Sequence, residues 1–343
     1  IVPREWSAIP YRGVSRLLDF HSLTIAPTSD DANVGLALES RNILNTFGLS
    51  VGATFNLNER ASAAEVAASY AGLPVIVDVS ARLGSRASTY TDSTGESQGF
   101  SWHEQSITAA LRLPLTRLTG LTRQSVVASA GLGVTHISDQ PVGFRFENNN
   151  GWFTPVTYLL SASHIRPAAY RDLYPTGAVV TALYRHTPFG SDYRSHQGSV
   201  RGALYLPGLA ENHALVVNAA REVQDPTNYR FSTQYVFPRG YASRFHERFT
   251  RASADYHLPL LYPDFALGPW LYVRRVQGAV FGDVGRGSTR SNTLVRDYRS
   301  AGVDLTADVS PLGLRQTIRS GVRVARTFTA PERTSVEWIV TIF

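Results

Sequence analysis

The strongest constraint in this sequence is a short alternation of apolar and polar residues, renewed to its end, with no apolar run long enough for a transmembrane helix. From 300 to 309, Ser300, Gly302, Asp304, Thr306 and Asp308 share one parity, and Ala301, Val303, Leu305, Ala307 and Val309 the other. Successive side chains of a strand point to opposite sides, so this segment has one apolar and one wet face. A closed sheet built from such strands places lipid outside and water inside and leaves no backbone edge unpaired. The pattern predicts an all-β fold, a transmembrane antiparallel β-barrel of the bacterial outer membrane. A soluble sandwich shares the same period, so the period by itself does not choose between them.

Composition narrows the field. At 343 residues, 43% hydrophobic and 17% charged, the chain is too long for a small domain and too polar for a helical membrane protein. It has no cysteine, which removes disulfides, thiol chemistry and cysteine-ligated metals. Every basic residue is arginine, and the net charge is +6. The arginines are scattered through strands and loops rather than gathered in a run or on a helix, which favours interior and headgroup-facing arginines over nucleic-acid binding.

Alternating segments between turn signals fall near 14–26, 33–45, 48–59, 62–72, 74–90, 100–115, 123–137 and 155–166. They continue at 176–188, 196–207, 212–223, 246–259, 271–285, 296–309, 315–328 and 334–343, which makes about sixteen strands. An arginine facing lipid at the bilayer midplane costs roughly 2–4 kcal/mol, so Arg82, Arg112, Arg319 and Arg323 should face the interior. Connections alternate between tight turns, such as Asn45–Gly48, Gly72–Pro74, Pro207-Gly208 and Ser310–Gly313, and longer loops at Thr89–Phe100, Ser138–Thr154 and Gln224–Phe245. Tyr170, Tyr174, Tyr262, Phe265, Trp270 and Tyr272 are placed for an aromatic belt at the turn end. The last segment carries Val336, Trp338, Val340 and Ile342 on its apolar face and ends on Phe343, a terminal aromatic suited to a barrel targeting signal.

Two motifs stand in order within the second half. The longest loop there holds Pro238-Arg239-Gly240-Tyr241, and two strands later comes Phe281-Gly282-Asp283-Val284-Gly285. With the Ser310-Pro311-Leu312-Gly313 turn and the terminal aromatic, this set resembles the BamA/TamA outer-membrane superfamily, the bacterial surface antigen barrels. The resemblance rests on motifs over 238–343 and on strand pattern elsewhere. It implies sixteen strands and a long loop folded into the lumen, its Arg239 meeting Asp283. Proline at 238 departs from the β-branched or other apolar residue usual in the family, which bears on the path of the loop rather than on the arginine contact.

The residues fit that implication. If Asp283 faces inward, so do Phe281, Ala279, Gln277 and Arg275, while Val276, Gly278, Val280, Gly282 and Val284 face lipid. Glu247 and Asp255 on the preceding strand are further carboxylates that an incoming guanidinium can meet. Arginine suits this contact because its planar fork bonds a carboxylate at two points and is never neutral. A charge-assisted pair in a confined polar interior contributes on the order of 1–3 kcal/mol.

Catalytic and metal chemistry find little support. Asp255 and His257 lie two apart on one strand face, like a base with its orienting acid, but neither Gly-x-Ser-x-Gly nor His-Glu-x-x-His accompanies them. The histidines and carboxylates lack metal-ligand spacing, and the resemblance implies no bound cofactor or nucleotide. Residues 1–13 read as a linker or plug segment before the barrel of 14–343, itself expected to be the C-terminal domain of a longer exported polypeptide. The resemblance further implies outer-membrane lipid, client proteins or envelope-complex subunits, periplasmic domains and lipoproteins among them, as partners. It implies insertion or translocation of clients, with a weak seam between the segment near 15–26 and Ser335–Phe343. A structural or anchoring barrel and a small-molecule channel stand beside it as other readings.

Overall fold

The computed structural model describes residues 19–28, 33–91, 97–140, 150–291, 293–312 and 317–342. The expected linker 1–13, the start of the first segment, Gly313 and the terminal Phe343 lie outside the described residues. The chain divides into two compact units, residues 1–113 with 131–154, and residues 114–130 with 155–343.

The first unit is an antiparallel meander. It holds β1 (Ser22–Thr28), β2 (Asn33–Arg41), β3 (Phe47–Asn56), β4 (Ala61–Tyr70) and β5 (Ile76–Thr91), and most of β6 (Ser97–Thr119). Each strand pairs with the next in sequence. Part of β7 (Thr122–Ser138) and the three-residue β8 (Gly151–Phe153) complete it, pairing at Thr135 with Phe153.

The second unit continues in the same manner. It contains β9 (Val156–Arg166), β10 (Thr176–His186), β11 (Ser195–Pro207), β12 (Ala214–Pro226) and β13 (Arg248–Leu261). After the three-residue β14 (Phe265–Leu267) come β15 (Leu271–Ser288), β16 (Val295–Pro311), β17 (Ile318–Thr327) and β18 (Thr334–Ile342). Pairing is antiparallel throughout, with β13 joined to β15 and β14 lying beside the start of β15. Eighteen strands are thus described where sixteen segments were expected, and the two extra ones are the three-residue β8 and β14.

The burial pattern is inverted relative to a soluble sheet. On β15 the polar Arg275, Gln277 and Asp283 are buried together with Ala279 and Phe281, whereas Val280 and Val284 are more than half exposed. On β16, Ser300, Thr306 and Asp308 are buried while Val303 and Leu305 are exposed. The first unit likewise exposes Leu36, Leu38, Val66, Leu83, Ile107 and Leu111. Water would reject such a surface, because contiguous apolar area of this extent seeks a partner or a membrane. An apolar solvent outside and a hydrated interior make it favourable.

Charge is neutralised pairwise on the buried face. Arg323 lies opposite Asp304 in the β16–β17 register and bonds it at two points, 2.8 and 2.9 Å. Arg319 lies opposite Asp308 and bonds it at 2.8 Å. In the first unit Arg112 reaches Asp78 at 3.1 Å. Arg82 stands opposite Glu65 in the β4–β5 register, both of them exposed.

Two expectations change. The first tight turn falls at 42–46 rather than 45–48, because the Asn42 side chain accepts from the amides of Thr46 and Phe47 and lets β3 start at Phe47. Tyr170, Phe265 and Trp270 are exposed at the turn end, but Tyr174 turns inward and packs at a tilt against His257 with ring centroids 4.4 Å apart.

Candidate functional site

The 227–247 connection leaves β12 and returns to β13 at the end of the unit that also carries the β15–β16 connection, opposite the turn after β16. Its path follows the buried face of the sheet. Phe231 is buried, and side chains from β11 and β12 hold the descending limb by its backbone. Gln224 Nε2 donates to the Phe231 carbonyl at 3.1 Å, and Gln197 Nε2 donates to that of Ser232 at 3.0 Å. The Gln234 amide donates to Glu222 Oε2 at 2.7 Å. Gln197 and Gln224 face each other in register, which explains how two adjacent loop carbonyls are read by neighbouring strands.

Aromatic rings carry the limb to its tip. Tyr235 stacks on Phe249 at 4.2 Å, and Phe237 packs edge-on to Tyr298 at 4.8 Å. Phe249 and Tyr298 are almost completely buried, so this cluster is a local apolar core on an otherwise polar face. Burial raises the pKa of the Tyr235 phenol, with Glu222 and Tyr298 adding to the effect. Burial, and then the charges of Arg296 and Arg244, lower that of His246, whose Nε2 lies 2.8 Å from the Tyr298 hydroxyl.

At the tip Arg239 meets Asp283. Its backbone amide and Nε donate to Oδ2 at 3.0 and 2.8 Å, and Nη2 donates to Oδ1 at 3.0 Å. Nη1 bonds Asp255, and Arg251 Nη2 donates to Asp283 Oδ1 at 2.9 Å. Two guanidiniums therefore face two carboxylates, and Asp283 itself has no solvent-accessible side-chain surface. The Arg239 Cζ also sits 3.7 Å from the Phe281 ring centroid, with Arg323 Cζ 5.5 Å from that ring. Burial opposes the Arg239 charge, but bonds to Asp283 and Asp255 outweigh it and raise its pKa above the ordinary value.

The remaining motif residues acquire steric reasons. Gly240 has φ +82°, and a Cβ there would lie 3.0 Å from Thr327 Cγ2 and 3.2 Å from Ala325 Cβ. Its carbonyl accepts from Arg333 Nε at 3.0 Å. The Tyr241 hydroxyl donates to the Arg299 carbonyl at 2.8 Å and accepts from the Thr329 amide at 3.1 Å. Pro238 is buried against Gly285, where a Cβ would come within 2.9 Å of the proline Cγ. Gly282 and Val284 face outward, and a Cβ at Gly282 meets nothing within 4 Å. The β15 motif thus works through Phe281, Asp283 and Gly285.

Of the two additional carboxylates named from sequence, Asp255 joins the cluster and Glu247 does not. The Glu247 side chain accepts from the Arg290 amide, because it lies at the top of β13 beside the β15–β16 connection. Asp255 is committed to Arg239, and His257 to the Tyr174 ring, so the two do not form an acid–base pair. Trp338 is exposed on the apolar face of β18. Among the described residues no cluster of three or more histidines and carboxylates is arranged to hold a metal. Sequence reasoning missed Arg251 as an Asp283 partner, the limb holders Gln197, Glu222 and Gln224, and Arg333. The parity of Arg251 with Asp255 was a usable signal, since Ser253 lies opposite Asp283 and the same-face residues two either side of it, Arg251 and Asp255, are Asp283's diagonal neighbours.

No family model matches the sequence, and no curated protein matches it. Solved structures do. BamA from Haemophilus ducreyi lacking POTRA domains 1–3 is similar over 91% of this chain, with TM-score 0.58 and 13% identity. CdiB from Escherichia coli is similar over 94%, with TM-score 0.57 and 12% identity. CdiB from Acinetobacter baumannii is similar over 92%, with TM-score 0.53 and 11% identity. The chain spans 67%, 61% and 56% of the lengths of those three structures. This likeness shows the fold: an antiparallel β-barrel of the BamA type.

Proposed function

We propose that this chain is an integral barrel of the bacterial outer membrane that serves insertion of client proteins into that membrane or their translocation across it. The observation that carries the reading is the tip of the 227–247 loop, where Arg239 enters a buried site formed by Asp283, Asp255 and Phe281. The same ordered motifs carry the resemblance to the BamA/TamA superfamily, and the likeness to BamA and CdiB barrels spans at least 91% of the chain. The exposed apolar faces fit outer-membrane lipid as their surroundings. A client polypeptide is the proposed substrate, and the proposal assigns no catalytic chemistry or cofactor to the barrel. Its partners are proposed to be periplasmic domains or lipoproteins that deliver clients. A loop folded into the interior narrows the path through it, which suits a wide passive pore poorly.

Reconstitution tests the proposal. Proteoliposomes carrying the native full-length protein receive a urea-denatured outer-membrane barrel as client, and its folding is followed by gel-shift. Faster client folding than in empty liposomes, lost on loop deletion from an otherwise folded barrel, is the expected result. Equal rates with and without the protein would remove insertion, and equal passage of a secreted client would remove translocation.

A further inference from the structure

The connection between β9 and β10, residues 167–175, lies at the opposite end of the unit from the Arg239 loop. It does not stay beside its own strands. Asp172 offers its carbonyl to Arg275 Nη1 at 2.9 Å, and the Tyr174 hydroxyl accepts from Arg319 Nη1 at 3.0 Å. Arg274 Nη2 donates to the Tyr170 carbonyl at 2.8 Å, and the Tyr262 hydroxyl donates to that of Arg171 at 2.9 Å. Leu173 is buried, and Tyr174 lies on His257. In strand order β11, β12 and β13 intervene between β10 and β15, so the segment spans the buried face to reach its partners.

Its attachment is electrostatically specific. Asp308 stands between Arg275 and Arg319, accepting from their Nε atoms at 2.5 and 2.8 Å. One carboxylate cannot satisfy two guanidiniums, each with five donors and no acceptor. The strap adds one acceptor for each, the Asp172 carbonyl for Arg275 and the Tyr174 hydroxyl for Arg319, whose guanidinium also meets the Gln277 side-chain oxygen. Besides these oxygen atoms, buried Leu173 and the Tyr174 ring, packed between Tyr205 and His257, hold it to the sheet. Beside it, between the strap and the 208–213 turn, is a cavity of about 550 Å³ lined by Leu121, Leu173, Tyr174, Leu206, Asn212 and His213.

We infer that residues 167–175 form a gate across the turn end of the barrel interior, latched by Arg275 and Arg319 and opened by moving into the adjoining cavity. The inference goes beyond the proposed function, because it requires that the interior be a passage and not that the passage serve clients. The occupant of the gate is this chain's own segment, and an extended polypeptide or ions would pass only when it moves.

The chain has no cysteine, so a designed pair is unambiguous. Tyr174→Cys with His257→Cys, bridged by a short bifunctional thiol reagent, locks the strap in place of the native latch. Conductance of the full-length protein is measured in planar bilayers on bridged and unbridged samples of one folded preparation. We expect the bridged form to conduct as little as the native protein, and the unbridged form, which lacks the tyrosine latch, several-fold more. A second variant replaces Ala169–Tyr174 with a short Gly-Ser linker and should conduct continuously. Heat-shift on gels verifies that each barrel has folded. Equal conductance of bridged and unbridged protein overturns the gate, as does a linker variant that conducts no more than the native protein. Loss of client folding with gating intact would overturn the functional proposal alone.

Discussion

Replacing Asp283 by alanine strips four donors of their acceptor: the amide, Nε and Nη2 of Arg239, and Nη2 of Arg251. The carboxylate is completely buried, so water cannot substitute for it without opening the loop. Arg239 keeps Asp255 and the Phe281 ring, which holds part of the tip in place. Breaking one side of a buried ion pair costs about 3–5 kcal/mol, because the partner charge stays buried without compensation. That range is two to four orders of magnitude, roughly, in the unfolding equilibrium. Guanidinium unfolding in detergent micelles, followed by tryptophan fluorescence, measures it directly as a shift in midpoint. Adding Arg239→Ala to Asp283→Ala should then cost less than the sum of the single changes, since it removes one of the stranded charges. A cost for Asp283→Ala below about 1 kcal/mol, or strict additivity in the double variant, would refute the claim that this cluster is a coupled buried network.

Gly240→Ala should destabilise by about 1–3 kcal/mol, as it combines a left-handed backbone with close contacts to Thr327 and Ala325, whereas outward-facing Gly282→Ala should stay within about 0.5 kcal/mol by the same unfolding assay. Gln197→Leu with Gln224→Leu should free the descending limb and speed protease cleavage within 227–247 while strand content by circular dichroism is unchanged. His246 has a pKa below its ordinary 6.5 in the fold, so the unfolded chain takes up the proton first as pH falls. Stability should therefore be flat with respect to this group above about pH 6.5 and decline below it, and His246→Gln should remove that part of the decline in a pH series of unfolding midpoints.

The fold was legible because each strand carries its own two-residue period. Between 275 and 284 on β15 and between 300 and 309 on β16 the outer set is wholly apolar and the inner one mainly polar, and the registers follow from that division. The short β8 and β14 carry three residues each, too few for any period to register. Arg239 and Asp283 were readable through a motif order, but Gln197, Glu222 and Gln224 were not. They bond loop backbone, and a backbone carbonyl leaves no mark in the sequence. In the sequence Tyr174 reads as a belt residue, because tyrosine serves both a membrane rim and an interior hydrogen bond. Arg319, 145 positions away, decides between them. Glu247 shares the segment of Asp255 but lies near its end, where another loop's amide is closer.

The central claim is that the polar buried face looks onto a hydrated interior and the apolar exposed face onto lipid. Single cysteines at 275–284 on β15, each carrying a small fluorophore, report this in liposomes containing a nitroxide-labelled lipid. Labels at Val276, Gly278, Val280, Gly282 and Val284 should be quenched by the lipid, and those at Arg275, Gln277, Ala279 and Phe281 should be spared. Quenching without a two-residue period, or with the opposite parity, would contradict the account.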